Sequence, residues 1–401
     1  CFGENMRVLF INTVFEKGST GRIVKDLGTA IEERGGEYRA IYGRGTSNDP
    51  HAIKFSSNFG VAVHALCARI SDRSGFYSSY STKRMIEYIR EYNPDIIHLH
   101  NLHGYYVNIE ILFEYLKSEY KGKVIWTLHD CWAYTGHCTH YTAVGCNKWK
   151  NCCKKCVQKK EYPTSIFKDN SYNNYERKKS LFTSLDDMTI IAVSDWLAGQ
   201  LKQSFLKKYS IVRIYNGINH NIFKYIETNI KEELKIGSKR MILCVSDGWN
   251  ERKGYNDIIK WADKLNDEVR FVIVGLDEKQ IEKLPSNIIG LKRTQNIEQL
   301  VELYSAADLF FNPSKEETFG MVTAEAMACG TPILAYNTTA CAELLDDNSG
   351  QVVNDFAEIL AFKFENQVYD SNKIIQSSMR FDKDNIMQQT YDLYKDCISD
   401  D

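Results

Sequence analysis

Leu309-Phe310-Phe311-Asn312-Pro313-Ser314-Lys315-Glu316-Glu317-Thr318-Phe319-Gly320-Met321-Val322-Thr323-Ala324-Glu325-Ala326-Met327-Ala328-Cys329-Gly330-Thr331-Pro332-Ile333-Leu334-Ala335 decides the fold class. Leu309–Phe311 reads as a strand, Thr323–Ala328 as a helix and Pro332–Ala335 as the next strand. Strand, helix, strand is the repeating unit of a parallel sheet covered by helices. Glu317 and Glu325 are separated by seven residues. On one continuous helix they would lie about 12 Å apart along the axis. With Glu317 in the loop and Glu325 in the helix body, both face one ligand from opposite ends. The backbone N–H groups near Phe319, Gly320, Met321 and Val322 point at the same space, and a helix start favours a phosphate there.

The same alternation extends in both directions. Met241–Val245 and Arg270–Val274 read as strands, and Gly254–Leu265 and Ile297–Ser305 as helices. In the first half, Arg7–Asn12, Tyr38–Tyr42, Asp95–His100, Val124–Leu128, Ile190–Val193 and Ile211–Ile214 are strand-like. Thr20–Arg34 carries Ile23, Val24, Leu27, Ala30 and Ile31 on one helical face and stops at Gly35-Gly36. Ile109–Tyr120 is helical, and Ser194 caps a helix whose apolar face is Trp196, Leu197 and Leu201. The expected architecture is α/β, with two Rossmann-like domains over residues 6–222 and 223–384. The polar stretch Lys224–Lys239 reads as the linker, and a last helix, 385–398, is expected to pack back on the first domain. Ligands in such folds bind beyond the carboxyl ends of the strands, so two facing domains imply a central cleft.

Composition limits the alternatives. At about 150 residues per domain, 401 residues make two or three domains. Fifty Lys and Arg against fifty-two Asp and Glu argue against a nucleic-acid binder. Hydrophobic residues at 43% argue against disorder. No stretch approaches the roughly 18 apolar residues of a spanning helix, and no basic start precedes an apolar core. Met6 reads as the natural start. A lipid on Cys1 is disfavoured, because almost no tether separates it from the strand at Arg7. The expected compartment is a bacterial-type cytoplasm, with contact at the inner membrane face as a further expectation.

With its Phe-Gly, Glu-Ala-Met-Ala and Gly-Thr-Pro, the 317–332 stretch resembles the E-x7-E signature of the retaining glycosyltransferases of family four, which have the GT-B fold. Arg252-Lys253-Gly254 sits where such enzymes have a Lys-Gly helix start. Ile191-Ala192-Val193-Ser194, Tyr215-Asn216-Gly217-Ile218-Asn219, His98-Leu99-His100-Asn101 and Leu128-His129-Asp130 match further elements, so the resemblance covers nearly the whole chain from Met6. It implies transfer of a sugar from a nucleotide-sugar donor to a glycan or lipid-linked glycan, with retention of configuration and without a metal for catalysis. By the same resemblance Glu325 binds the ribose hydroxyls and Glu317 contacts the donor sugar near the reacting carbon. His129 reaches the donor sugar or acceptor, with Asp130 and His100 on the acceptor side.

The departing nucleoside diphosphate builds negative charge that fixed cations and backbone donors must meet. Lys253, with Arg252 beside it, is the candidate pair. Family members have a Gly-Arg pair ahead of the Lys-Gly; here the segment is Val245-Ser246-Asp247-Gly248-Trp249-Asn250-Glu251, and that arginine is missing. Arg252 either replaces it or is a plain exposed arginine. Its absence favours a second reading, a catalytically inactive scaffold. Gly18 and Gly21 follow the first strand; they either let backbone approach a phosphate or sugar or merely turn the chain. With the resemblance they belong to the donor side. His98, His100 and His103 are expected to include at least one packed core residue.

Six of the twelve cysteines lie in an insert over 131–156. Cys153 and Cys156 have the C-x2-C spacing of half a tetrahedral zinc site, and Cys138 and Cys146 complete four thiolates. Cys131, Cys152, His137 and His140 are alternative ligands, and disulfides or free thiols remain alternatives to a structural zinc. The insert looks too poor in apolar residues to build its own core. A Cys-rich insert after His-Asp is similar to that in a branch of the family linked to surface polysaccharides. The basic, aromatic stretch Lys159–Phe182 is either a solvated helix face or a surface for anionic lipid headgroups.

Overall fold

The computed structural model describes residues 6–265, 267–364 and 369–399. Its strands are short runs rich in β-branched and aromatic residues, and those at the centre of each sheet are buried apart from their end residues, as parallel strands covered on both faces must be. In chain order they are β1 (Arg7–Asn12), β2 (Glu37–Tyr42), β3 (Ala52–Ile53), β4 (Ile96–Leu99), β5 (Lys123–Leu128), β6 (Thr189–Ala192), β7 (Ser210–Arg213), β8 (Arg240–Val245), β9 (Val269–Val274), β10 (Ile288–Leu291), β11 (Leu309–Asn312), β12 (Ile333–Tyr336) and β13 (Gly350–Val353). They form two sheets, in the orders β3-β2-β1-β4-β5-β6-β7 and β10-β9-β8-β11-β12-β13. Every pairing is parallel.

The helices are α1 (Gly18–Glu32), α2 (Asn58–Ser71), α3 (Ser79–Tyr92), α4 (Ile109–Ser118), α5 (Ser171–Phe182), α6 (Asp195–Leu201), α7 (Ile230–Glu233), α8 (Tyr255–Ala262), α9 (Glu278–Ile281), α10 (Ile297–Ala306), α11 (Met321–Ala328), α12 (Phe356–Ala361), α13 (Ser371–Ser378) and α14 (Lys383–Ser399). Several start where a short polar side chain satisfies their first amides. Asn108 accepts from Glu110 and Ile111, and Ser194 accepts from Leu197, as its place before an apolar face predicts.

The chain divides into two compact units. One holds the described residues up to Tyr215 and from Met387 onward; the other spans Asn216–Ile386. The stretch Lys224–Lys239 is not a linker. It folds into the second unit, where Ile230 and Ile236 are buried and Lys231 pairs with Asp308 at 2.6 Å. In the first unit Trp126 packs edge-on against Phe182; in the second, Trp261 meets Phe271, Phe311 and Phe362 edge-on.

Helix α14 crosses from the second unit into the first. There Tyr394 Oη lies 2.6 Å from His98 Nδ1, and His98 Nε2 lies 2.7 Å from Thr127 Oγ1. His98 is therefore a fully hydrogen-bonded core histidine. Tyr394→Phe should leave Nδ1 unpaired and cost about 1–3 kcal/mol of stability, read from urea denaturation; an unchanged midpoint would contradict this role.

Candidate functional site

In both sheets the strand order reverses next to the first strand, between β1 and β4 and between β8 and β11. At such a switch point the following connections leave to opposite faces and open a crevice at the carboxyl ends. Lys253, Glu317, Gly18, Gly21 and His100 lie at these two places, while His129, Asp130 and the cysteines of the insert follow β5.

In the second unit, the loop after β8 meets the loop after β11. Gly254 makes this possible: its φ is +76° and a Cβ there would sit 2.2 Å from the Pro313 carbonyl oxygen. Lys315 N–H donates to the Arg252 carbonyl at 2.9 Å, and Arg252 Nη1 donates to the Glu316 carbonyl at 3.2 Å. Arg252 is thus partly buried and tied to the loop. Lys253 Nζ pairs with Glu317 Oε1 at 2.5 Å, both side chains being more than four-fifths buried. Burial by itself would raise the Glu317 pKa; the Lys253 ammonium, helped by Ser314 and Arg252, more than offsets it and holds the carboxyl below its usual 4.5. Thr339 Oγ1 accepts from the Glu317 amide at 2.9 Å and fixes its backbone.

Helix α11 starts from Gly320, at φ +103° and with no side-chain cap. Thr323 and Ala324 donate back to Gly320, whereas the amides of Met321 and Val322 have no acceptor among the described residues. Asn312 ties β11 to this helix, donating to Thr323 Oγ1 at 2.9 Å. Glu325 is buried in the helix body, and its Oε2 accepts from Tyr304 Oη at 3.1 Å. The Phe319 ring is turned into the core, edge-on to Phe381. Ser314 lies in the same loop, whereas Thr339 and Tyr304 come from distant positions that no local spacing signalled.

In the first unit, Asn12 at the end of β1 accepts from the Asn101 amide at 3.2 Å and Thr13 Oγ1 donates to the Asn101 carbonyl at 3.0 Å, binding the loops after β1 and β4 together. Gly18, at φ +67°, opens α1, and Gly21 lies where a Cβ would come within 3.1 Å of the backbone at Phe15 and Glu16. His100 Nδ1 lies 3.0 Å from His129 Nε2, with the two rings stacked. The other nitrogen of His100 is buried without a partner among the described residues. Burial pushes His129 down to about 4 and His100 well below 6.5, so both rings are neutral near pH 7. His103 Nε2 lies 2.6 Å from Asp130 Oδ2, a pairing the sequence did not reveal, and its Nδ1 lies 3.0 Å from Tyr162 Oη. Asp130 Oδ1 also accepts from the Trp132 amide at 2.8 Å.

The Cys-rich insert does have its own core, contrary to the expectation from composition. Tyr134, Tyr141 and Trp149 are buried and pack on one another at ring separations of 5.0–6.2 Å. Lys178, one of the basic residues of the 159–182 stretch, is fully buried beneath it. Its Nζ donates to the carbonyls of Trp132 and Thr135, at 2.8 and 3.1 Å, and lies 3.5 Å from the Trp132 ring centre. Cys138 and Cys156 are hydrogen-bonded through their thiols, and the Gly136 amide donates to Cys153 Sγ at 3.2 Å. Cys146 is likewise a free thiol. Among the described residues, no three His, Cys, Asp or Glu side chains are arranged to hold a metal ion.

Two family models match the chain: "Glycosyltransferase Family 4" over residues 20–222 and "Glycosyl transferases group 1" over 226–372. WcaC of Escherichia coli K12, named as a colanic acid biosynthesis glycosyl transferase, is 22% identical over 87% of this chain and 88% of its own. Sucrose-phosphate synthase from Thermosynechococcus elongatus has a similar fold, with a TM-score of 0.71 at 17% identity over 99% of this chain and 100% of that one. HepE of Anabaena, solved in complex with UDP and glucose, matches with a TM-score of 0.67 at 16% identity, over 97% of this chain and 99% of that one.

The buried ionisable groups set a pH dependence. His98 and His129 are held by burial at about 3 and about 4, against 6.5. Between those values the unfolded chain binds more protons, so their contribution is complete above pH 6.5 and is lost as pH falls. Glu317, with a lowered pKa, contributes above its ordinary 4.5 and is lost on further acidification. The melting temperature should fall steadily from about pH 7 to about pH 4; a flat profile over that range would contradict neutral burial.

Proposed function

Because the chain belongs to the glycosyltransferases that those two family models describe, and has the two Rossmann-like domains of the GT-B type, we propose that it transfers a hexosyl group from a nucleotide-sugar to a glycan or lipid-linked glycan acceptor. The transfer retains the anomeric configuration and serves surface-polysaccharide assembly on the cytoplasmic side. Similarity to the colanic acid protein supports the pathway class, and the UDP and glucose in the HepE structure support the donor class. The observation that carries the reading is the Lys253–Glu317 pair set at a switch point beside the unpartnered amides of α11.

In this reading Lys253, Arg252 and the Met321 and Val322 amides meet the charge on the departing nucleoside diphosphate. Phe319 and Gly320 shape that helix start. Glu325, oriented by Tyr304, accepts from the ribose hydroxyls, and Glu317 faces the donor sugar. Gly18 and Gly21 leave room on the donor side. In the first unit His129, supported by His100, and Asp130 make up the acceptor side. The acceptor oxygen attacks the anomeric carbon on the face that the phosphate leaves. The carbon–phosphate-oxygen bond breaks, and a phosphate oxygen takes the acceptor's proton. The chain's own cations and amides supply the stabilisation, with no metal required.

Glu317→Ala should lower release of nucleoside diphosphate by about 10²-fold or more while the protein stays folded. A wild-type protein that releases none from any donor, with or without acceptors, would leave the inactive scaffold that the missing arginine favours.

We also propose that Cys138, Cys146, Cys153 and Cys156 bind a structural zinc. The C-x2-C spacing and the thiol contact between Cys138 and Cys156 support this. The thiols must close in on the ion, since as placed they form no metal cage. Purified under reducing conditions, the protein should carry about one zinc; less than about half an equivalent would refute the proposal.

A further inference from the structure

Helix α2 is seated the wrong way round for a globular protein. A surface helix ordinarily buries its apolar stripe. Here the buried residues are His64 and Ala68, with His64 bonded to Ser78 Oγ at 2.7 Å and accepting from the Gly75 amide at 3.2 Å. Phe59, Val63, Leu66 and Ile70, spaced 4, 3 and 4 residues apart, form one stripe facing outward; Phe59 is 79% and Leu66 57% exposed. The helix is firmly held in this pose. Asp72 at its end pairs with His137 and accepts from the Asn170 amide at 2.7 Å. The Ile166 amide donates to the Arg69 carbonyl at 2.8 Å, which sets Ile166 and the 71%-exposed Phe167 beside the end of the stripe.

Positive charge predominates in the segments that carry this apolar surface. No Asp or Glu lies between His51 and Ser71, where Lys54 and the exposed Arg69 occur. The segment from Lys148 to Lys168 has seven lysines against a single acid, Glu161. An exposed apolar stripe with a basic fringe fits a surface that is apolar inside and anionic outside. A second copy of the chain would instead bring two positive fringes together.

We propose that the outward face of α2, with Ile166 and Phe167, docks this protein on an anionic lipid bilayer, the side chains entering the headgroup boundary and the lysines facing the phosphates. Among the described residues no helix is long and apolar enough to cross a membrane, so the contact is with one leaflet. The proposal does not depend on the reaction described above.

The test is sedimentation of the full chain with vesicles of phosphatidylcholine alone, or with about one third phosphatidylglycerol. Wild type should bind the anionic vesicles, less so as salt rises. Phe59→Ser with Leu66→Ser should weaken binding about tenfold or more, with circular dichroism and melting unchanged, because both side chains are exposed. Lys160→Gln with Lys168→Gln should weaken it through charge alone. Wild type remaining unbound, or the Phe59/Leu66 variant binding equally well, would overturn the proposal. So would a self-associated wild type that the variant disperses without any vesicle binding, since the face would then join two copies.

Discussion

A parallel strand can follow another only through a crossover that carries the chain back along the sheet, and both units are built under that constraint. Each sheet starts in its middle, grows outward to one edge and then returns to fill the other side. The reversal leaves two adjacent strands whose connections part, and backbone groups and loops collect at that place. Lys253 and Glu317 meet because β8 and β11 are neighbours, although they are far apart in sequence. The His100–His129 pair likewise depends on β4 lying next to β5.

Packing at these places leaves little freedom. Gly254 must lack a side chain for the β8 loop to touch Pro313, and that contact sets the lysine. The Lys253–Glu317 pair places two charges in a mostly buried setting, where removing one partner strands the other. Such a pair is poor as pure scaffolding and well suited to exchanging partners with a charged ligand. In the first unit, burial keeps His100 and His129 neutral, so each ring offers one donor and one acceptor.

Much of this was legible in sequence. The strands β1, β5, β8 and β9 and helices α1 and α10 follow apolar runs and periodicity, and Ser194 caps where its position says it should. The loop from Glu317 to the start of α11 was visible because its chemistry is local. Other features were hidden for physical reasons. Periodicity finds a stripe but not its direction, so α2 gives no hint that its apolar face points outward. Lys178 reads as a surface charge, yet its long stem carries the ammonium to two carbonyls beneath Trp132. Three aromatics scattered through a Cys- and Lys-rich insert make a core only once the chain has turned, and the His103–Asp130 pair needs the fold to bring two loops together.

The central claim is that the Lys253–Glu317 switch point receives a nucleoside diphosphate. Thermal shift of wild type and Lys253→Ala against a panel of nucleoside diphosphates tests it most directly. Wild type should gain stability with the logarithm of concentration for at least one of them, and Lys253→Ala should lose that gain. A wild type that no nucleoside diphosphate stabilises, or a variant stabilised as strongly as wild type, would contradict the account.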